Sequence, residues 1–466
     1  KKESKALINQ GIKIPRDYEK EKEEENLKSK NVKRMLALAA VGVLSISTLG
    51  ACGGSGSDSG ESSSESSSSS GSSDLVMAWW GNQVRNEKTQ EALDKYKELN
   101  DVTVEGQFYQ WNDYWSKMAT AAAGNSMPDL IQMDYSYIDQ YVENGQLLDL
   151  TPYIESGALD VSNIPDNVLQ MGVVGDGNYG IAAGVSGNCL FYNKTVTDEA
   201  GVTIKDNMTY DEFVEIAKTV TEKTGYRAKL IQDVNYMGEW ARAEGIPIVE
   251  AKMPVDSADA YVPFFQMVAD GIEEGWHLTP ENIDATGIET DPLVYGSSPE
   301  TMAWCSINGT SNQLTALQSA APEGADIAIT TIPTSDPTTS NYLKPALYFS
   351  ISADTEDPDA AVALLDYLIN SEDANAILLG ERGVPASTAV TDYIYDLVSE
   401  TEQESFAYVT DVITPNCSPI NPPDPSGMSE LNDTLKKAVE KVSYGESTPE
   451  EAAQEYYDKG IELWGE

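Results

Sequence analysis

The chain has 466 residues, 41% of them hydrophobic, which is enough for two or three domains with buried cores. Its 76 Asp and Glu residues outnumber 30 Lys and Arg, giving a formal net charge of −46 at pH 7. Nucleic acid and anionic lipid are bound through clustered Lys and Arg, so this charge argues against both partners. The single histidine, His277, argues against His-rich metal sites and against Ser-His-Asp catalysis.

The first 51 residues carry the features of a secretion signal. Several cations between residues 28 and 34 precede the uncharged apolar run 35–46. A membrane-spanning helix needs about 20 apolar residues, so this shorter run fits the core of a signal peptide. It leads into Leu49-Gly50-Ala51-Cys52, which has the order of a lipobox. We predict a lipoprotein signal peptide over 27–51 and a lipid on Cys52; an ordinary cleaved signal or a short buried helix is the alternative.

The segments on either side of this signal are not expected to fold. Residues 1–26 are predicted to be disordered or untranslated, because Lys22-Glu23-Glu24 can be encoded by a ribosome-binding sequence shortly before Leu27. Residues 52–73 comprise the lipidated Cys52 and a tether that is rich in Ser and Gly. Such a tether cannot repay the entropy of ordering, and it would reach roughly 25 Å. The rest of the chain is therefore predicted to sit on the extracellular face of the cell membrane, lipid-anchored and without a further anchor.

From residue 74 onwards, apolar periodicity predicts an α/β fold. Short apolar or alternating runs at 75–79, 102–108 and 130–133 read as strands. Helical spacing separates them at 87–99 and 111–122, where Trp111 and Trp115 lie on the apolar face and are predicted to be core. This β-α-β-α-β order indicates a parallel sheet with crossover helices.

Later helix boundaries are marked by capping residues. Thr209 and Glu212 form the pattern of a capping box that opens a helix closed by Gly225, and Thr448 and Glu451 repeat it. Asp357-Pro358 places proline at a first helical position. Asp176-Gly177 fits a hairpin turn better than a phosphate loop, since no Lys or Arg adjoins it.

Aromatic and polar side chains follow the first and third predicted strands. Ligands of open α/β sheets bind at the carboxyl ends of strands, which draws attention to Trp80, Asn82 and Gln83 and to Asp134 and Tyr135. Aromatic rings cover the C–H face of a sugar, and carboxylates and amides bond its hydroxyls. These two turns therefore favour a carbohydrate ligand.

A series of weak motifs, in order along nearly all of 74–466, resembles one family. They are 123–131, 145–150, 179–181, 190–194, 300–309, 383–386 and 445–452. Their order and spacing resemble the extracellular solute-binding proteins of carbohydrate ABC importers, the maltose and multiple-sugar type. The sequence departs from this pattern after Asn308-Gly309, where many relatives carry a stacking Trp and this chain has Thr310-Ser311-Asn312. The departure argues against maltose itself.

The resemblance implies a two-lobed periplasmic-binding-protein-like fold of type II that closes on its ligand. Three crossings would join the lobes near 184–188, 327–331 and 391–399. The N-terminal lobe would then comprise 74–186 plus 330–395, and the C-terminal lobe 187–329 plus 396–466. The implied partners are a carbohydrate and the permease subunits of an importer, with no nucleic acid; the protein is expected to be a monomer.

The resemblance also extends the set of candidate ligand contacts beyond the two turns. Arg382 could bond vicinal hydroxyls or a uronate carboxylate, although a surface ion pair explains it equally well. The remaining candidates implied by position are Ser186, Asn188, Tyr236, Trp240, Trp304 and Tyr348. Trp304 is also interpreted as a core residue, and Trp276 and Trp464 are predicted to be structural.

The sequence does not indicate a metal site or a site of covalent catalysis. Cys189, Cys305 and Cys417 fit no zinc spacing and are predicted to be buried free thiols, with one disulfide as the alternative. No cofactor and no metal are expected, although the acidic loops would not forbid calcium. The competing function is a surface-anchored glycan-acting enzyme with paired carboxylates, for which Asp134, Glu239 and Glu244 are available. The other open alternative is a receptor for a different ligand, such as a peptide.

Overall fold

The structure is a computed structural model that describes residues 75–231, 234–282, 288–296 and 298–465. The predicted signal peptide, the lipid site Cys52 and the tether lie outside the described residues. Within the described ranges, no helix combines the length and the apolar character that crossing a membrane requires.

The strands of the described part form two main sheets and one short hairpin. They are β1 Leu75–Trp80, β2 Val104–Tyr109, β3 Leu130–Met133, β4 Val173–Val174, β5 Gly177–Asn178, β6 Ile181–Gly187, β7 Leu190–Asn193, β8 Arg227–Lys229, β9 Ala303–Ser306, β10 Ile327–Thr330 and β11 Leu343–Ile351.

The α-helices of the described part pack around these sheets. They are α1 Gln83–Asn100, α2 Trp111–Ala123, α3 Ile138–Glu143, α4 Thr151–Ser156, α5 Asp166–Leu169, α6 Lys194–Ala200, α7 Tyr210–Thr224, α8 Val234–Ala243, α9 Val262–Glu273, α10 Leu314–Ala320, α11 Pro337–Ser340, α12 Pro358–Asn370, α13 Glu372–Leu378, α14 Thr388–Ile394, α15 Glu400–Ala407, α16 Met428–Ser443 and α17 Pro449–Trp464. A π-helical turn, Tyr408–Ile413, continues α15.

The first sheet has the strand order β2-β1-β3-β11-β6. β1 is parallel to β2 and to β3, as the alternating pattern of strands and helices predicted. The long strand β11 runs antiparallel to β3 and β6, so its early residues lie beside the carboxyl end of β6. The carboxyl ends of β1 and β3 meet at one edge of this sheet.

The second sheet has the order β10-β7-β9-β8, in which only β8 and β9 are parallel. The chain passes from the first sheet to the second between β6 and β7, and it returns between β10 and β11. Two apolar clusters correspond broadly to the two sheets: one surrounds the first sheet, and the other surrounds much of the second and includes α16 and α17.

The predicted caps are confirmed. Thr209 and Glu212 form both bonds of a capping box at the start of α7, and Gly225 ends that helix in the left-handed conformation. Thr448 and Glu451 do the same for α17, and Asp357 caps α12 ahead of Pro358. The hairpin β4–β5 confirms a turn here, but Gly175 and Asp176 form it, one residue earlier than the predicted Asp176-Gly177.

The boundaries of the two predicted lobes stay a prediction, but one stretch packs differently from the expectation. Phe406, Tyr408, Val409 and Ile413 belong to the core of the first sheet, although 396–466 had been assigned to the second lobe. The second core resumes at Leu431 on α16. This packing favours a third crossing after Ile413, because α15 and its π-helical extension bury their apolar side chains against the first sheet.

Candidate ligand-binding cleft

A cavity of about 460 Å³ lies where the carboxyl ends of β1 and β3 face the turn that follows β9. Four of the predicted ligand contacts line it: Trp80, Asp134, Ser186 and Arg382. The opposite wall is formed by residues that the sequence analysis did not propose, among them Thr310, Asn312 and Gln313. The cavity therefore brings together segments from both sheets.

Trp80 is held at the cavity by the strands beside it. Its carbonyl accepts hydrogen bonds from Gln132 Nε2 at 3.1 Å and from Arg85 Nη1 at 3.2 Å. Its ring packs edge-on against Tyr114, with the ring centroids 5.1 Å apart. Trp80 is half-buried, so its ring is fixed while part of its surface stays open.

Asp134 lies at the same edge, directly after β3. Its carboxylate accepts a hydrogen bond of 2.9 Å from the Ser136 backbone N–H, which shapes the turn. The side chain is only half-buried, so oxygen lone pairs remain for a ligand hydroxyl.

Ser186 and Lys344 are cross-strand partners on β6 and β11, and both residues line the cavity.

The segment around Arg382 passes close to β6 beside this pair. A Cβ on Gly184 would lie 2.4 Å from the Arg382 carbonyl oxygen, so only glycine allows this approach. The crossing is fixed by hydrogen bonds between the backbones of Val185 and Val384, 2.7 and 3.0 Å long.

Arg382 is buried. The sequence suggested instead that its guanidinium forms a surface ion pair or is free to make two hydrogen bonds to a ligand. Its Nε donates to Gln132 Oε1 at 3.1 Å, its Nη2 donates to Thr89 Oγ1 at 2.8 Å, and its guanidinium lies over the Phe349 ring. Burial, reinforced by the charge on Arg85, lowers the pKa of Arg382 to about 9. Only Nη1 lacks a hydrogen-bond partner among the described residues, and it lies 3.6 Å from Glu381. The side chain can thus support the cavity wall, but it cannot offer two free nitrogens to a ligand.

The turn after β9 is positioned by buried polar contacts. Asn308 donates to Asp291 at 3.1 Å, and Gly309 has a positive φ of 81° that favours glycine. The Ser311 hydroxyl accepts a hydrogen bond of 3.2 Å from the Gly187 backbone N–H, which ties the turn to β6. Sequence reasoning noted 310–312 only as a departure from the family pattern; an Asn-Gly turn at a strand end was the available signal.

Three aromatic candidates for ligand contact belong to the second core, which for Trp304 confirms the alternative interpretation as a core residue. Tyr236, Trp240 and Trp304 are at most 4% exposed. The Tyr236 hydroxyl donates to the Pro333 carbonyl at 2.9 Å, Trp240 packs on Phe264, and Trp304 stacks on Phe213. None of the three lines the cavity at the carboxyl ends of β1 and β3, because helix α8 and strand β9 turn these side chains into the core.

Five further candidates make structural contacts. Tyr348 is buried and donates to the Met171 carbonyl at 2.7 Å, which differs from the expected ligand contact. Asn188 is buried between the two sheets, where it bonds Glu239. Asn82 caps α1, and Gln83 is exposed and bonds Glu87 at 2.7 Å. Tyr135 donates to the Asn421 carbonyl and lines a different cavity, of about 540 Å³.

Trp111 was predicted to be core, and the structure corrects this prediction. It is 40% exposed, the only exposed residue among the eight tryptophans, all of which lie in the described ranges. Trp115 is half-buried beneath it.

The three cysteines within the described ranges, Cys189, Cys305 and Cys417, are free thiols, as predicted. Cys189 and Cys305 are buried, and burial raises the pKa of both thiols well above the usual range. Cys417 is half-buried. The described residues contain no group of three or more His, Cys, Asp or Glu side chains that could hold a metal ion.

Comparison with known proteins provides curated relatives over about a third of the chain. An arabinooligosaccharide-binding protein of Halalkalibacterium halodurans is 29% identical over 182 residues, 37% of this chain and 34% of that protein. An erythritol/L-threitol-binding protein of Mycolicibacterium smegmatis is 26% identical over 154 residues, 30% of this chain and 32% of that protein. The chain thus spans about a third of the length of the curated relatives it matches.

The fold and the family follow from two broader matches. The structure of an extracellular solute-binding protein family 1 member from Alicyclobacillus acidocaldarius subsp. acidocaldarius superposes with a TM-score of 0.76 at 25% identity, over 85% of this chain and 100% of that chain. The chain therefore has the α/β periplasmic-binding-protein-like fold. The profile described as bacterial extracellular solute-binding protein matches residues 91–404, more than half of the chain. This protein belongs to the bacterial extracellular solute-binding protein family, whose members are binding proteins rather than enzymes.

Proposed function

We propose that this protein captures a neutral sugar or oligosaccharide in the cavity at the carboxyl ends of β1 and β3 and delivers it to an ABC importer. In this proposal the protein is anchored through a lipid on Cys52 at the extracellular face of the membrane. Trp80, Asp134, Ser186, Asn312 and Gln313 would contact the ligand.

The composition of the cavity wall is the observation that carries this proposal. Six residues with uncharged hydrogen-bonding side chains line the cavity together with Trp80: Ser186, Thr310, Asn312, Gln313, Thr315 and Ser405. A ring face beside many donors and acceptors suits a polyhydroxylated ligand with apolar C–H faces.

The charges at the cavity balance, which favours a neutral ligand. Three cationic side chains line it, Arg85, Lys344 and Arg382, as do three anionic ones, Asp134, Glu381 and Glu402. Arg85 is paired with Glu381 through its Nε at 2.8 and 2.9 Å, so neither group is free to neutralise an ionic ligand. A phosphate or uronate would need an excess of free cations that this wall does not present.

The named ligands of the two relatives are a pentose oligosaccharide and two four-carbon polyols. Both are neutral polyhydroxy compounds, which agrees with the wall of this cavity. These compounds are therefore included among the probes in a direct test of binding.

The test is a thermal-shift screen of the full chain, followed by calorimetric titration. The probes are arabino-, malto- and xylo-oligosaccharides of one to four units, erythritol, galacturonate oligomers and a mixed peptide library. A ligand at a hundredfold excess over its Kd stabilises the native state by about 2.7 kcal/mol. We expect a shift with one neutral class, recovery of the sugar unchanged, and loss of the shift in Trp80→Ala but not in Tyr444→Ala, an exposed aromatic at the carboxyl end of α16. A shift with peptides alone, or a sugar consumed during the assay, would overturn the proposal.

The anchor has its own test, which does not depend on the ligand. Cells expressing the wild-type chain should retain it in the detergent phase of a two-phase extraction. The Cys52→Ala variant should lack the lipid and partition into the aqueous phase. Equal partitioning of both would contradict a lipid on Cys52.

A further inference from the structure

We propose that Trp111 provides a second stacking surface for the same saccharide, outside the cavity and adjoining it through Trp80. The bound ligand would then be an oligosaccharide that extends past the cavity rather than a single sugar. This inference rests on the proposed function and specifies the length of its ligand.

The position of Trp111 follows from the sheet. β1 and β2 end side by side, with Trp80 opposite Tyr109, and α2 begins two residues later at Trp111. Trp111 therefore lies at the carboxyl edge of the sheet, where ligands of this architecture bind. Its ring centroid is 4.9 Å from that of Trp80, which itself lines the cavity. One continuous aromatic surface thus runs from the cavity to the outside.

The ring of Trp111 is held in place rather than free to rotate. It meets Trp80 and Trp115 edge-on, at interplanar angles of 86° and 79°, and it lies 6.3 Å from Tyr137. Trp115 and Tyr137 stack on each other at 4.0 Å beneath it. A ring fixed by three neighbours loses little side-chain entropy when a ligand covers it, which is the condition for an effective stacking surface.

Leaving this apolar ring in water is energetically unfavourable unless a ligand covers it. Trp111 leaves 40% of its side chain in water while its aromatic neighbours are half-buried or buried. Polar residues adjoin this aromatic group: Asp134 and Ser136 follow β3 and immediately precede Tyr137, whose ring contacts Trp111. An apolar face bordered by carboxylate and hydroxyl groups matches the alternation of C–H faces and hydroxyls on a sugar ring.

The test compares affinity with ligand length. Wild type, Trp111→Ala, Trp111→Phe and the control Tyr444→Ala, all as full chains, are titrated with one to four units of each neutral oligosaccharide series used above. We expect wild-type affinity to rise with length, and Trp111→Ala to lose roughly tenfold for the longer members and little for the shortest member that binds. Trp111→Phe keeps a ring and should retain most of the affinity, and Tyr444→Ala should match wild type.

A second readout guards against a variant that merely misfolds. Acrylamide quenching reports the exposed tryptophan, and a long oligosaccharide should protect part of the wild-type fluorescence but not that of Trp111→Phe. Equal loss of affinity at every length would mean that Trp111 only supports Trp80. No loss at any length would show that the surface meets something else, such as the importer. If no sugar binds the wild type, the proposed function itself fails. That result differs from an equal loss at every length and from no loss at any length, both of which concern Trp111 alone.

Discussion

The side-chain amide of Asn188 donates a hydrogen bond of 2.8 Å to the Glu239 carboxyl group, and both side chains are buried. Asn188 lies between β6 and β7, and its Oδ1 accepts from the Tyr342 backbone N–H at 3.0 Å. Arg242, one turn beyond Glu239 on α8, donates to the carbonyls of Ser340 and Pro419 at 3.1 Å each. Helix α8 therefore ties together three separate segments that run between the sheets.

This buried carboxyl group predicts a pH dependence of stability. Burial raises the pKa of Glu239 to about 8, opposed by the Arg242 charge and by hydrogen bonds from Asn188 and Tyr342. The folded protein then holds a proton that the unfolded chain releases near pH 4.5. The free energy of unfolding consequently falls as the pH rises from about 4.5 to about 8.

The Glu239→Gln variant cannot titrate at this position. It should therefore lose the contribution of Glu239 to the fall in the free energy of unfolding with pH. We expect its melting temperature, relative to that of wild type, to be higher at pH 8 than at pH 5 in scanning calorimetry. Glu98→Gln, at an exposed position of α1, is the control and should follow wild type. Parallel profiles of wild type and Glu239→Gln would show that Glu239 is ionised in the folded protein throughout this range.

A second buried charge controls the turn on the far wall of the cavity. The Asp291 carboxylate accepts from Lys229 Nζ at 2.8 Å, from the Ser306 hydroxyl at 2.9 Å and from Asn308 at 3.1 Å. Asp291→Ala would leave the Lys229 charge buried without its carboxylate partner, so we expect a loss of about 3–5 kcal/mol in urea unfolding. Ligand affinity should fall as well, since Asn308 begins the turn that carries Asn312 and Gln313.

The double variant Lys229→Met/Asp291→Leu separates these two effects. Removing both charges together should recover most of the stability, because no buried charge is left uncompensated. It should not recover ligand affinity, since Asn308 still lacks its acceptor. A single variant that costs less than about 1 kcal/mol would mean that water reaches Lys229.

Arg382 is expected to act on the ligand through Trp80. Its Nε holds Gln132, and Gln132 in turn donates to the Trp80 carbonyl. Arg382→Met keeps the bulk over Phe349 but releases Gln132, so we expect sugar affinity to fall by roughly tenfold in calorimetric titration. Thr89→Ala is the matched control, because it removes the other partner of Arg382 and leaves the Gln132 bond in place. Equal losses in the two variants would argue for a general loosening of the wall.

The parts of this structure that could be predicted from sequence depend on neighbours along the chain. The strand 130–133 follows from an apolar run, and the capping boxes at Thr209 and Thr448 follow from residues three positions apart. The turn residues Trp80 and Asp134 were found because strand ends of a parallel sheet converge, a rule that needs only the order of elements.

The errors concern side chains whose environment is set by distant parts of the chain. Aromatic residues at helical spacing look alike whether they face a core or a ligand, so Tyr236 and Trp240 could not be assigned without knowing what packs on α8. Trp111 shows the opposite case: its spacing places it on the apolar face, but it is the first residue of its helix and lies beyond the packed turn. The contact between Arg382 and Gln132 joins residues 250 positions apart, which no local pattern encodes.

Tyr135 connects the first sheet to the segment that precedes α16. Its hydroxyl donates to the Asn421 carbonyl at 2.5 Å, and burial raises the pKa of Tyr135 to about 12, so the hydroxyl stays protonated at any physiological pH. The Asn421 side chain accepts from Arg242 on α8, so this bond links the end of β3 to the second core. Tyr135→Phe removes the hydroxyl alone and keeps the ring. We expect faster amide hydrogen exchange across 417–427 with little change in overall stability, about 1 kcal/mol. Tyr348→Phe removes a comparable buried hydroxyl within the first core and should leave exchange in 417–427 unchanged, so identical exchange in all three proteins would show that Tyr135 does not restrain this segment.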